Sequence, residues 1–333
     1  MNGWYTHPVT VALSSTDNQS GVARTEYSFD NGSSWTIYNA PFTLDREGQV
    51  QILYRSVDQA GNVEEAKSLS FQTDAKAPVT TTVVTPAEPD GLNGWYTHPV
   101  TVALSATDNQ SGVARTEYSF DNGSSWTIYN APVILDREGK IQVLYRSVDQ
   151  AGNVEEAKSL SFQTDLTPPQ VQIHGAASYT IDQDIVISCT ATDSVSGVTY
   201  SSCNTPLLQA KAYTLAPGVH TVTATAEDAA GHRQTVNFSF TVSATFESIS
   251  TLTGSFVAET GVNGADGIAN ALQKKLDNAK AKALEGKGAV ARNQLDAYIN
   301  QVSAQSGKAL TKEQAATLVR WATSLRDATP LTN

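Results

Sequence analysis

The sequence predicts a mainly β chain: three small antiparallel β-sandwich modules in tandem, closed by an α-helical bundle. Three observations predict it. The segment opening Asn2-Gly-Trp-Tyr-Thr-His-Pro-Val returns from Asn93 with about six substitutions across some 73 positions. A solenoid unit runs roughly 20–50 residues, so a period this long is instead the length of one small sandwich with its own core. Within each copy, apolar and polar residues alternate with period two between turn residues, which puts successive side chains on opposite faces of a strand. From about Phe246 the apolar spacing becomes helical.

The expected modules are residues 1–75, 76–165, 166–243 and 244–333. In the second module, Val100-Thr-Val-Ala-Leu104 and Glu117-Tyr-Ser-Phe120 alternate as strands, and Asp121-Asn-Gly123 follows. Asn-Gly between two such runs marks a hairpin, because a type I′ turn needs φ > 0 at both central positions. Residues 141–148 and 158–163 read as further strands joined through Asp149-Gln-Ala-Gly-Asn153. The exchanges between copies suit a shared core. Val50/Ile141 and Ile52/Val143 trade a methylene, and Phe42/Val133 beside Thr43/Ile134 is expected to redistribute bulk at constant volume. Pro78-Val-Thr-Thr-Thr-Val-Val84 precedes the second copy as an apolar, β-branched first strand, whereas only Met1 precedes Asn2. The first module is therefore expected to lack that strand, and the sequence to begin inside a longer secreted parent.

Residues 166–243 form a third, diverged sandwich, since Asp193-Ser-Val-Ser-Gly-Val198 matches Asp108-Asn-Gln-Ser-Gly-Val113 and Asp228-Ala-Ala-Gly231 matches Asp149-Gln-Ala-Gly152. Superposing the first motif pair places Cys189 on Leu104 and Cys203 on Tyr118, two inward-facing positions on neighbouring strands. A disulfide there closes a loop of about 15 residues, worth roughly 3 kcal/mol in the chain-entropy model. Two free buried thiols are the other reading, because Cys is also a small hydrophobe. In the tail, Ile268, Leu272, Leu276 and Ala279, then Leu295, Tyr298, Ile299 and Val302, then Leu318, Trp321, Ala322 and Leu325 follow helical spacing. Phe246, Ile249, Leu252 and Phe256 supply a short leading helix, Gly286 and Gly288 end the next, Gly307 ends the third, and Thr311-Lys-Glu-Gln314 has capping-box spacing for the last.

Composition narrows the function classes. The formal net charge is −11, from 22 basic and 33 acidic residues. Residues 266–327 hold 10 of the basic and 6 of the acidic ones, so the β modules are strongly acidic and unsuited to nucleic acid, whose phosphates require clustered Lys and Arg. No run of 18 or more apolar residues exists, so no transmembrane helix is expected. The low charged fraction of 17%, one Met and two Cys read as an extracellular bacterial protein.

The duplicated unit, with Gly94-Trp-Tyr96, Asp108-Asn-Gln-Ser-Gly-Val113, Tyr118-Ser-Phe-Asp-Asn-Gly123, Trp126, Tyr129, Tyr145-Arg-Ser-Val-Asp149 and Ala151-Gly-Asn153, resembles the OmpL-type, Ig-like β repeats of large secreted Gram-positive proteins. The tail, with Gly267-Ile-Ala-Asn-Ala-Leu272, Gln294-Leu295, Gln301-Val-Ser-Ala-Gln-Ser-Gly307 and Ala315-Ala316, resembles the FIMAH module that closes many extracellular hydrolases, lyases and proteases of such bacteria. The resemblance implies the non-catalytic C-terminal part of a multimodular exoenzyme or surface protein, with any catalytic domain upstream, and it carries no agreed ligand.

Catalysis has little to stand on. The five His are scattered over different modules, and nucleophile-elbow, zinc-protease, Walker and dinucleotide patterns are absent from the sequence. Glu64-Glu65 and Glu155-Glu156 are adjacent on a strand edge, so each pair points to opposite faces. No cofactor is expected. Calcium is the one ion to weigh, because Asp108-Asn-Gln-Ser and Asp121-Asn-Gly offer loop oxygens, but each Asp can equally accept N–H bonds within its own turn. Aromatics are the binding candidates. Trp4, Tyr5, Trp35 and Tyr38 in the first copy, and Trp95, Tyr96, Trp126 and Tyr129 in the second, suit the apolar faces of a polysaccharide if exposed and serve packing if they fold back on the sheet. Lys274, Lys275, Lys280, Lys282 and Lys287 form either a solvated helix face or a contact for anionic wall polymer.

The expectation is thus a spacer and interaction region of a secreted or cell-surface protein, most simply a carbohydrate-active enzyme held near polysaccharide. The alternative is an adhesin segment that binds a host or matrix protein. Exposed tryptophans favour the first; an open sheet edge favours the second.

Overall fold

The computed structural model describes residues 3–331. The chain divides into two compact units, Met1–Leu166 and Thr167–Asn333.

In the first unit, the strands from Val79 to Thr164 form a sandwich of two sheets. One sheet orders its strands as Thr127–Ile128, Val113–Ser119, Gly139–Asp149 and Lys158–Thr164. The other orders them as Val133–Leu135, Val100–Thr107 and Val79–Thr85. Period-two alternation sends Val100, Val102, Ile141 and Val143 inward, all nearly inaccessible. The Asn-Gly signal holds locally: Asn122 and Gly123 have φ of 58° and 85°. The turn sits at the tip of a longer connection, because the ladder closes only at Tyr118 with Thr127.

The first copy repeats the larger sheet and adds Trp4–Tyr5 at its edge, paired in parallel with Lys67–Thr73. The sandwiches are therefore not purely antiparallel; the third has the same feature where Ser178–Thr180 runs parallel to Arg233–Ser243. In both, the chain passes from the short strand to a strand of the opposite sheet, Val9–Val11 or Asp184–Thr192. Among the described residues the smaller sheet of the first copy contains Val9–Val11 and Phe42–Leu44. No strand of this copy among the described residues corresponds to Val79–Thr85, and residues 12–16 carry no strand pairing. The loss reaches the core. Among the described residues its buried cluster comprises Val11, Leu44, Val50 and Ile52, against nine residues in the second copy.

One expected compensation does not occur. Ile134 is 63% exposed and Thr43 is also exposed, so neither replaces the volume that separates Phe42 from Val133. Adjacent strand positions face opposite sides, and bulk cannot be traded between them. Phe42 instead stacks on Tyr27 at 4.4 Å between ring centroids.

The second unit joins a sandwich to a helical module. Its sheets are Gln170–His174, Asp184–Thr192 and Leu208–Lys211, facing Ser178–Thr180, Arg233–Ser243, Gly218–Asp228 and Val198–Ser201. Cys189, on a strand of the first sheet, is disulfide-bonded to Cys203, in the turn that follows Val198–Ser201 of the second. The bridge therefore staples one sheet to the other. Helices α1 (Phe246–Glu259), α2 (Ala265–Leu284), α3 (Gly288–Gln305) and α4 (Lys312–Ala328) follow.

Thr245 and Thr311 both complete capping boxes, which satisfy N–H groups that a helix start leaves unpaired. Gly286 and Gly307 adopt φ of 77° and 72° just beyond α2 and α3, whereas Gly288 opens α3 rather than closing α2. α4 packs on the sandwich. The Trp321 indole N–H and the Arg320 guanidinium both donate to the Tyr213 carbonyl, at 3.1 and 2.5 Å, and the Tyr213 ring meets Phe256 edge-on at 5.1 Å. A single apolar cluster runs from Ile185 and Phe240 of the sandwich through Phe256 to Leu295 and Trp321. The helical module and the third sandwich thus share one core.

Candidate functional site

The aromatic candidates fall into three environments. Tyr96 is a core residue, 7% exposed and edge-on to Phe162, because the strand-like bridge between Tyr96 and Thr164 turns its ring inward. Tyr38 and Tyr129 are half-buried, Tyr38 beside Phe42 and Tyr129 against the core of the second copy. Trp4 and Trp95 are half-buried as well, and only Tyr5 is exposed, at 52%.

Trp126 folds back over its own turn, its ring 3.5 Å from where a Cβ on Gly123 would sit. The Arg146 guanidinium lies over the ring at 3.9 Å and donates to Glu117 Oε1 at 2.7 Å, and Arg115 holds the other oxygen. Trp35, Arg55 and Glu26 repeat the stack, with a ring distance of 3.8 Å. Burial disfavours the charged form of Glu117, but hydrogen bonds from both arginines outweigh it and hold the carboxyl below its ordinary range. Each indole therefore has one face taken up by an arginine, and a sugar could stack only on the other.

A second cluster lies at the junction of the two copies. Asp74, which ends the first copy, is fully buried; its Oδ2 accepts from the Ser111 N–H at 3.0 Å and its Oδ1 from the Lys76 N–H at 3.1 Å. The Asn153 side-chain amide donates to the Asp74 carbonyl at 2.9 Å and to Asp149 Oδ2 at 2.7 Å. Asp74 is thereby buckled to two loops of the second copy, those of Asp108 and Asp149. Burial works against its charge, yet the Ser111 and Lys76 hydrogen bonds prevail and lower its titration range. Asp74, Asp108 and Asp149 each place an oxygen within 4.8 Å of the others. A hard cation takes six to eight oxygens. Asp108 Oδ1 already accepts from the Gln110 and Gly112 N–H groups, and Asp149 Oδ1 from those of Gly152 and Asn153. These turn hydrogen bonds account for the conformations of the carboxylates by themselves.

The third feature is an open groove of about 460 Å³ in the first copy, lined by Ser15, Thr25, Tyr54, Ser56, Glu64 and Lys67 among others. The matching space in the second copy holds Val79–Thr85, paired antiparallel along Thr101 to Thr107. There Thr80 is buried. Its N–H donates to Glu155 at 2.9 Å, its hydroxyl bonds Glu155 and Ser147, and its carbonyl accepts from Lys158 at 2.7 Å. The equivalents in the first copy are in place without a strand. The Ser56 N–H reaches Glu64 at 3.2 Å and Lys67 pairs with Glu64. The Glu64 side chain is 36% exposed, against 8% for Glu155. Sequence reasoning treated these glutamates only as a failed catalytic pair and overlooked Asp74. The signal for Asp74 was its return as Asp165 at the end of the second copy.

The FIMAH domain model matches residues 246–327. The chain thus ends in a FIMAH domain behind tandem Ig-like β modules. No curated protein matches the chain. Among solved structures, it resembles the fibronectin(III)-like modules of Clostridium thermocellum CbhA at 12% identity, covering 48% of this chain and 88% of that one with a TM-score of 0.24. It also resembles a Ca2+-stabilized, ice-binding adhesin of an Antarctic bacterium at 17% identity, with 72% and 69% covered and a TM-score of 0.27. A 1.5-MDa bacterial ice-binding adhesin gives 15% identity, 72% and 91% covered, and a TM-score of 0.30. Scores this low carry nothing about ligands or partners. No helix among the described residues is long and apolar enough to cross a membrane.

Proposed function

We propose that this chain is a non-catalytic spacer and interaction segment of a secreted or surface-held multimodular protein, and that its partner is a protein bound adhesively. The spacer role rests on the Asp74 buckle. Hydrogen bonds from Ser111 and Asn153 fix the end of one β module to the loops of the next, so the two copies act as a stiff pair. The adhesive role rests on the aromatics, which the fold commits largely to packing rather than to a platform for a sugar.

The competing reading is a polysaccharide-tethering region of a carbohydrate-active parent, and it needs solvent-facing aromatic platforms. Tyr96 is buried and Trp35 and Trp126 each lie under an arginine, which favours the protein partner. The test is a panel of immobilised matrix proteins and insoluble polysaccharides challenged with the full chain. Capture by a protein surface that survives Trp35→Ala with Trp126→Ala supports the adhesive reading. Retention on polysaccharide that the double variant abolishes would replace it with the tethering one.

A further inference from the structure

We infer that the outer face of the larger sheet in each copy docks a protein partner that presents a carboxylate beside an aliphatic side chain, held by Arg115 and Ile128 in the second copy and by Arg24 and Ile37 in the first. The inference rests on the adhesive reading and names what the partner presents. Charge on this chain is segregated. The whole carries a formal −11, yet the outward positions of Val113–Ser119, Thr127–Ile128, Gly139–Asp149 and Lys158–Thr164 hold Arg115, Lys140 and Arg146 against one carboxylate, Glu117. That carboxylate is nearly inaccessible between the two arginines, so the face is positive to an arriving group. The strand register assembles the patch. Glu117 lies opposite Ile128 on one side and Arg146 on the other, and directly opposed residues share a face. The first copy repeats the patch with Glu26, Ile37, Arg55 and Arg24.

Two observations point to this ligand chemistry. Arg115 meets Glu117 through Nε alone, at 3.0 Å, and its side chain is 44% exposed, so among the described residues its two terminal nitrogens have no protein acceptor. The planar fork they form matches a carboxylate with two parallel N–H bonds. Ile128 and Ile37 are 54% and 53% exposed on the same face, each an apolar surface left in water. A partner's aliphatic side chain covers the isoleucine while its neighbouring carboxylate meets the arginine. Arginine is enriched and carboxylates are depleted at protein interfaces, as on this face. A uronate polymer carries the same charge, but its ring hydroxyls need donors and acceptors where this face offers Ile128 and the half-buried Leu144. Trp126 stands at the turn end with its ring against Gly123 and Arg146, so it buttresses the stack without belonging to the contact.

The test uses the full chain and two end-capped synthetic peptides, Gly-Leu-Asp-Leu-Glu-Leu-Gly and its amide counterpart Gly-Leu-Asn-Leu-Gln-Leu-Gly, with polygalacturonate as the sugar arm. The acidic peptide should bind roughly tenfold or more tightly than the amide one, as expected for hydrogen bonds between charged groups, and salt should narrow the difference. Ile37→Glu with Ile128→Glu changes only exposed positions and should abolish that preference, while hydrogen exchange of Gly139–Asp149 stays at the wild-type rate. Arg24→Lys with Arg115→Lys keeps a cation for Glu26 and Glu117 but removes the fork, and should weaken binding roughly tenfold. Trp35→Ala with Trp126→Ala should leave binding in place. Equal affinity for the two peptides, no binding of either at millimolar concentration, or an Ile double variant that binds as the wild type does overturns the inference. Polygalacturonate that displaces the acidic peptide, and is itself no longer bound by the Ile double variant, overturns it in favour of an acidic polysaccharide. If an immobilised protein still captures the Ile double variant, the adhesive reading stands and this site for it falls.

Discussion

Glu155 and Glu64 occupy identical sequence contexts, and the structure predicts that replacing them has very different consequences. Glu155 accepts the Thr80 N–H at 2.9 Å and the Ser147 N–H at 3.1 Å, takes the Thr80 hydroxyl, and pairs with Lys158 at 2.7 Å. Glu155→Ala strands two buried amides and leaves Lys158 without its carboxylate. Each unsatisfied amide costs about 1–3 kcal/mol, while Lys158, 41% exposed, can turn to water, so the two amides set the cost at about 3–4 kcal/mol. Glu64 accepts one N–H at 3.2 Å and pairs with a Lys67 side chain that is 58% exposed. Glu64→Ala should cost about 0.5–1 kcal/mol. Site-resolved hydrogen exchange on the full chain separates the two modules without isolating either. The amides of Gly139–Asp149 should exchange on the order of 10²–10³ faster in Glu155→Ala, while those of Gly48–Asp58 change less than about tenfold in Glu64→Ala. Equal effects in the two copies would refute the claim that the seated strand sets the environment of Glu155. Acid should weaken the second copy through Glu155. Burial raises the Glu155 pKa, but hydrogen bonds from Lys158 and Thr80 hold it below the usual 4.5. The folded value is the lower one, so this stabilisation is present above pH 4.5 and is lost as pH falls through the folded value.

Asp30 and Asp121 are held at about 2 by hydrogen bonds from serine neighbours, Ser34 first for Asp30 and Ser119 first for Asp121. Their folded values lie below 3.8, so denaturant midpoints of the wild type should fall as pH drops from about 4 to about 2, and an Asp30→Asn, Asp121→Asn double variant should show a flatter profile. A double variant with an unchanged slope would sink that assignment. Replacing Cys189 and Cys203 with Ala should destabilise the second unit by about 3 kcal/mol, measured by thermal unfolding, because the bridge closes a loop with a sequence separation of 14. Trp321→Ala should cost about 3–5 kcal/mol and lower the protection of α1–α4 and of Arg233–Ser243 together, since both line one core. Loss confined to the helices would mean that the sandwich is stable alone.

Much of this protein was legible in its residues. The duplication gave two modules, alternation gave their strands, and the Asp-x-x-x-Gly and Asp-x-x-Gly signatures revealed the third sandwich and paired its cysteines, although Cys203 lies in a turn of the opposite sheet and not on a neighbouring strand. The Thr311 box located the start of α4, and helical spacing its apolar face. These signals are local: side-chain period, φ requirements and cap chemistry are written into neighbouring residues. What needed the tertiary structure was everything that depends on a partner distant in sequence. Trp126 reads equally as a sugar platform or as packing, and its exposure is decided by Arg146 and Glu117 on two other strands. Asp74 looks like linker until Ser111 and Asn153 close on it. The sharpest case is the pair of segments 9–16 and Val100–Thr107. They differ at a single residue, but the second is a strand throughout and the first stops pairing after Val11. A β-strand satisfies its backbone groups only through another strand, so its own sequence sets which face is apolar and a neighbour decides whether the strand exists.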